Sequence, residues 1–138
     1  MDCDRVFAYG TLRREARPDV HQQFLGDRAE FLGHGTVSGR LWRVSWYPAL
    51  TQAAADERVV GEVHRLSNPA VMIAELDVFE VCNLDDPAGS EYTREVVTVR
   101  MDDGHELSAW CYFFLGSTEV LTHIKSGDFT ESEAADSV

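Results

Sequence analysis

The first place in this chain where reaction chemistry could sit is a glutamate at the end of an amphipathic segment. Asn68-Pro69 has the form of a helix start, with Asn as N-cap and Pro at the first helical position. Met72, Ile73, Leu76 and Phe79 then recur at helical spacing, as expected for one face packed on a core. At about 100° per residue, with Met72 at 0°, Leu76 falls near 40°, Ile73 near 100°, Phe79 near −20° and Glu80 near 80°. Glu80 therefore points into the apolar sector, at the helix end where the macrodipole disfavours negative charge. Desolvation and dipole both push a carboxyl toward its neutral form, the direction needed for acid/base work near neutral pH. On periodicity alone, the alternative is that the helix frays at Phe79 and leaves Glu80 facing water.

A second candidate is Tyr9-Gly10-Thr11-Leu12, at the end of a first apolar run. Glycine at a strand end lets successive backbone N–H groups converge into an anion-binding nest, although the same four residues can be a plain turn. Other reactive types are scattered. Cys3, Cys82 and Cys111 are odd in number and form no CxxC pair, and the five histidines (His21, His34, His64, His105, His123) show no HxH or HExxH spacing. Neither a metal nor a cofactor is expected. Cys82 follows Glu80 closely but has no histidine near it in sequence, which disfavours a thiol nucleophile. His64 is read as structural, and Trp42, Trp46 and Trp110 as core residues rather than a base-stacking platform.

Several elements must position these candidates. Strands are expected at Arg5–Ala8, in two pieces between Ala29 and Val44, at Arg58–Leu66, and in a hairpin of Glu91–Met101 and His105–Leu115 turning at Asp102-Asp103-Gly104. Gly33, Gly35 and Gly39 inside the second region suggest bulges or barrel corners. A short helix is expected at Val20–Leu25, closed by Gly26, with loops at 45–52 and 81–91, the latter a candidate lid. In the last strand Leu107, Ala109, Cys111 and Phe113 alternate with Trp110, Tyr112 and Phe114, so both faces are apolar. Such a strand is central or belongs to a closed sheet. The expected class is α+β, a bent, mostly antiparallel barrel-like sheet with one main helix and short extra helices.

The bulk numbers bound the partners. The 138 residues suit one domain, taken as residues 1–129, followed by an acidic tail at 130–138 read as disordered. A net charge of −12 opposes sequence-independent nucleic-acid binding and an anionic membrane surface. The charge still allows an anionic small molecule held by backbone N–H groups. All but one of the 12 basic residues are arginine, leaving only Lys125 as a lysine. No signal-peptide pattern or membrane-length apolar run is apparent, so a cytoplasmic location is expected.

Taken together, the motifs resemble the gamma-glutamylcyclotransferase family. FAYGTLRR at 7–14 is similar to the family's opening motif. GRLW at 39–42, YPAL at 47–50, VVGEVHRL at 59–66, LDVFE at 76–80, EYTREVVTV at 91–99 and SAWCYFF at 108–114 follow in the family's order, and SGDF near 126 resembles the closing motif of bacterial members. The resemblance implies that Glu80 is the catalytic acid/base. It implies that Tyr9, Gly10, Thr11 and Leu12 hold the α-carboxylate and nearby oxygens of a glutamyl group, and that Tyr92 lines the pocket. Arg94 matches a Tyr-x-Arg pattern of the bacterial branch, with a strand-surface ion pair to Glu91 or another acid as its alternative role. Thr-Leu at 11–12, where glutathione-pathway members show Ser-Asn, places the chain nearer the bacterial and gamma-glutamylamine-type branch. The implied reaction releases 5-oxoproline from a gamma-glutamyl amine or amino acid. The alternative is a non-catalytic binding module for a glutamyl-like metabolite.

Overall fold

The computed structural model describes residues 3–130 apart from positions 15 and 55, so the acidic tail beyond Thr130 lies outside the described residues. The chain runs β1 (Arg5–Ala8), α1 (Pro18–Phe24), β2 (Ala29–Ser38), β3 (Arg40–Arg43), β4 (Pro48–Thr51), β5 (Arg58–Leu66), α2 (Pro69–Phe79), β6 (Tyr92–Met101), β7 (Glu106–Phe114) and β8 (Thr122–His123). Short 3-10 turns occupy Gly26–Arg28 and Pro87–Gly89. The class is the expected α+β.

Five strands close into a barrel in the order β1-β5-β2-β6-β7, and a small sheet β4-β3-β8 stands beside it. Neighbours in the barrel are antiparallel except at the seam, where β1 meets β7 in parallel with Val6 opposite Trp110. Closure explains the two-faced apolarity of β7. Ala109, Cys111 and Phe113 join Phe7, Val37, Val59, Val63 and Val99 in one core, inside the barrel. Trp110, Tyr112 and Phe114 turn outward and pack with Val6, Ala8, Leu25, Met72, Ile73 and Leu76 under the two helices. Strand alternation thus divides the apolar residues into two cores on opposite sides of one wall.

The glycines of β2 act as expected at a barrel corner. Register slips between Phe31 and Gly33, and Gly33 takes φ +141° at that bulge. Three expectations need correction. The segment after Trp46 is not all loop: Pro48–Thr51 is an edge strand, with Leu50 opposite Leu41 and both fully buried. Its single proline sits at the strand start, where a missing N–H is tolerated. The first helix begins at Pro18, two residues earlier than Val20, because proline's fixed φ suits the first turn. Asn68 stands at the N-cap of α2, but its side chain makes no capping hydrogen bond.

Candidate active site

Glu80 is the C-cap of α2, at φ −83° and ψ 0°, and its N–H still donates to Leu76 O at 2.8 Å. The helix does not fray before it. The exit is a Schellman turn: Cys82 N–H donates to Asp77 O (2.8 Å) and Val81 N–H to Val78 O (3.2 Å). The residue forced into the left-handed region by this turn is Val81, at φ +53°, where glycine is the usual occupant and a β-branched side chain is strained. Its side chain is half exposed and packs little. Val81→Gly should therefore raise stability by about 1 kcal/mol, the relieved strain exceeding the added chain entropy. Chemical denaturation would show it, and an unchanged or lower midpoint would mean the turn holds no strain.

From this cap the Glu80 side chain enters a cavity of about 180 Å³. The residue is partly exposed, and its carboxyl opens onto the cavity while crowded by surrounding protein. No described residue donates a hydrogen bond to that carboxyl. Burial, then the charge of Glu91, then that of Asp77, push its pKa from 4.5 up to about 8. It is thus poised to carry or release a proton near neutral pH.

Four tyrosines wall the cavity, and each hydroxyl has a fixed partner. Tyr9 donates to Tyr112 O, Tyr92 to Pro48 O and Tyr112 to Asp77 Oδ1, all at 2.7 Å, and Tyr47 donates to Glu91 Oε1 at 2.6 Å. Burial raises Tyr9, Tyr92 and Tyr112 well above the ordinary phenol range, and the Glu91 bond brings Tyr47 to about 12. All four stay neutral at physiological pH. Burial likewise raises the Cys82 thiol, which argues against a thiolate there.

Facing Glu80 across the cavity is the turn after β1. Arg13 N–H donates to Gly10 O at 3.0 Å, closing the turn, while the N–H groups of Gly10, Thr11 and Leu12 meet no acceptor among the described residues. The turn is held from behind. His21 Nδ1 donates to Leu12 O (2.9 Å), and Arg14 N–H donates to Glu62 Oε1 (3.0 Å). Burial would raise the Glu62 carboxyl, but hydrogen bonds from His64 and the Arg14 amide bring it down to about 2, so it is anionic.

The cavity accordingly gathers Tyr9, Gly10, Thr11, Leu12, Glu80 and Tyr92 from three separate elements. The sequence profile of the family described as "Gamma-glutamyl cyclotransferase, AIG2-like" matches residues 6–131. The chain belongs to that family. The gamma-glutamylcyclotransferase family protein ytfP of Citrobacter rodentium is 28% identical over 130 residues, covering 94% of this chain and 97% of that protein. Among solved structures, ytfP of Escherichia coli is 27% identical with a TM-score of 0.63, over 94% of this chain and 98% of that one. YkqA of Bacillus subtilis reaches a TM-score of 0.72 at 23% identity, a likeness of fold. It covers 97% of this chain, which spans 42% of that longer protein.

Within this cyclotransferase-family fold Arg94 is not among the residues lining the cavity, and it makes an ion pair with an acid, the alternative to the substrate-binding role that the motif implied. Its guanidinium grips Asp77 through two bonds, Nε–Oδ1 at 2.8 Å and Nη2–Oδ2 at 3.0 Å, and lies over the Trp110 ring at 4.3 Å. It props the helix that carries Glu80 against β6 and β7. Trp46, expected in the core, is 50% exposed at the cavity mouth, edge-on to Tyr47. Sequence reasoning also missed Tyr47, Pro48, Phe79, Glu91 and Tyr112 as lining residues. YPAL at 47–50 was visible as a motif, but nothing in its spacing pointed to Glu80. The segment 81–91 is tied internally by Asn83 and Ser90 and donates Glu91 N–H to Val81 O at 2.8 Å.

Proposed function

We propose that this chain is a cyclotransferase that releases 5-oxoproline from a gamma-glutamyl amine or amino acid. The observation that carries the reading is Glu80: a desolvated carboxyl that opens onto the cavity with no hydrogen bond from any described residue, across from a turn with three unspent backbone N–H groups. Family membership and the names of relatives support the reaction class.

The N–H groups of residues 10–12 anchor the substrate α-carboxylate, and the tyrosine-rich wall folds the glutamyl chain back on itself. The α-ammonium lies beside Glu80 and Glu91, and its positive charge favours the ionised form of Glu80 on binding. Glu80 takes a proton from the ammonium. The freed amine attacks the γ-carbonyl carbon, forming the new C–N bond and a tetrahedral oxyanion. Glu80 passes its proton to the leaving nitrogen, the old C–N bond breaks, and the ring nitrogen loses its second proton as the carbonyl re-forms. Two protons move from the ring nitrogen to the departing amine, so the overall reaction needs no external acid. Holding amine and carbonyl in one molecule supplies the effective-molarity advantage of a five-membered closure.

Gly10 is required for the turn to sit this close. A Cβ there would lie 2.5 Å and 2.7 Å from the Pro48 ring, whose carbonyl fixes Tyr92. Gly10→Ala should displace the turn and raise KM for a gamma-glutamyl substrate about tenfold or more, since small misplacements of positioning groups are costly. An unchanged KM would remove residues 10–12 from the carboxylate site. The reading as a whole is tested by mass-spectrometric detection of 5-oxoproline from a panel of gamma-glutamyl amino acids, amines and modified lysines. Equal binding of a panel member by the parent and Glu80→Gln, with no release by either, would favour the binding-module alternative.

A further inference from the structure

A second polar cluster lies on the outer face of the barrel wall, beneath the turn that carries Gly10–Leu12. Glu62 and His64 are two residues apart on β5, so both side chains leave the same face, and both are fully buried (0% and 1% exposed). His21 reaches the same spot from α1. One donor atom from each of these three residues lies within 4.8 Å of the other two. His64 Nε2 stands 2.9 Å from Glu62 Oε1 and donates its hydrogen there, a proton that a bound ion would displace. The β2–β5 register sets His34 directly opposite Glu62, and His34 Nε2 is 3.7 Å from Glu62 Oε2.

Hydrogen bonding fixes one tautomer. His21 Nδ1 faces the Leu12 carbonyl at 2.9 Å, and a carbonyl can only accept, so Nδ1 carries the proton. Nε2 is then the ring atom left to face the cluster. An Nδ1–H donated to a backbone carbonyl is the usual support of a metal-ligating histidine.

We propose that His21, Glu62 and His64 form a site for a divalent transition-metal ion of the zinc class, with His34 placed to supply a fourth ligand. Two or three imidazoles with one carboxylate suit zinc-like ions, whereas calcium and magnesium demand mostly oxygen ligands. Ligands about 2.0–2.1 Å from a tetrahedral ion lie roughly 3.3 Å apart, so the cluster must contract by small rotations of the rings. The competing cation is Arg14, whose Nε is 3.5 Å from Glu62 Oε2. Its side chain is 42% exposed and its guanidinium lies 3.5 Å over the Phe31 ring, leaving it room to withdraw.

The site is separate from the cavity and takes no part in the proposed reaction. Its ion would fasten the substrate turn to the barrel at two points, through His21 to the Leu12 carbonyl and through Glu62 to the Arg14 N–H. The chain spacing hides this arrangement, because α1 and β5 contribute ligands from distant stretches.

The test is titration of the EDTA-treated full chain with Zn²⁺ by calorimetry, with thermal unfolding and Co²⁺ absorption as parallel readouts. One ion per chain is expected, with Tm raised by about 5–10 °C when free metal exceeds its dissociation constant a hundredfold. Co²⁺ should show the intense visible bands of a tetrahedral site. His64→Gln and, on the half-exposed helix, His21→Gln should each weaken binding at least tenfold. Absence of stoichiometric binding would overturn the proposal. So would equal binding by folded variants, which would assign the ion to surface pairs such as His123–Glu57. Should both variants fail to fold, the parent Co²⁺ spectrum decides, and its lack of tetrahedral bands overturns the site.

Discussion

Replacing Glu80 with glutamine should abolish 5-oxoproline release and at the same time make the folded chain more stable. Loss of a positioned acid/base group costs about 10²–10⁴-fold in rate. The gain in stability follows from linkage. The Glu80 pKa rises from 4.5 to about 8, because burial and two neighbouring carboxylates oppose its ionised form. Between those values the folded chain binds more protons than the unfolded one. The destabilising contribution is absent below pH 4.5, grows as pH climbs, and is complete above about 8. Glutamine, neutral throughout, removes that slope. At pH 8.5 the variant should exceed the parent by about 1–3 kcal/mol in urea denaturation, a part of the full shift because its amide is also desolvated. At pH 5 the two should nearly coincide. Equal stability at both pH values would place the carboxyl in water and remove the physical basis for its role. In the parent, kcat/KM should rise with pH through a limb near 8. Glu91→Gln removes the nearest like charge and should move that limb to lower pH, a change the substrate's own amine cannot produce.

The second large effect is expected at Asp77, one turn before Glu80. Its carboxylate takes both bonds of the Arg94 fork and the Tyr112 hydroxyl. The Arg94 side chain is only 8% exposed. Asp77→Ala leaves that guanidinium buried without its counter-charge and should cost about 3–5 kcal/mol. A well-packed double change, Asp77→Ala with Arg94→Met, should recover much of the loss, because the penalty belongs to the stranded charge. Denaturation midpoints of the two singles and the double measure this directly. If Arg94→Met alone weakened substrate binding with no loss of stability, the arginine would belong to the substrate after all.

Much of this architecture was legible because burial leaves periodic traces. Met72, Ile73 and Leu76 are spaced by the helix itself, so the phase that buries them also aims Glu80, and the cap geometry then keeps it in register. The two apolar faces of β7 announced a wall with a core on each side. Glycine at 33 announced a bend. What stayed hidden has no local period. Tyr47 meets Glu91 across 44 positions, and Arg94 meets Asp77 from another element, so neither pairing leaves a mark on its neighbours. Tyr-x-Arg left Arg94 between a substrate role and an ion pair because the residue that neutralises it is chosen by tertiary packing. Val81 gave no sign of a left-handed turn, since that position normally advertises itself as glycine.

The parallel seam between β1 and β7 has a kinetic consequence. Val6 pairs with Trp110, and the Tyr9 hydroxyl is held by the Tyr112 carbonyl, 103 residues away. Closing so long a segment must be driven by contacts that form late, which places barrel closure at the slow end of folding for a domain of this size. The wall that completes the cavity is the same wall that completes the barrel. Competence to bind substrate should therefore appear in a single step with final closure, without a partly folded species that binds weakly.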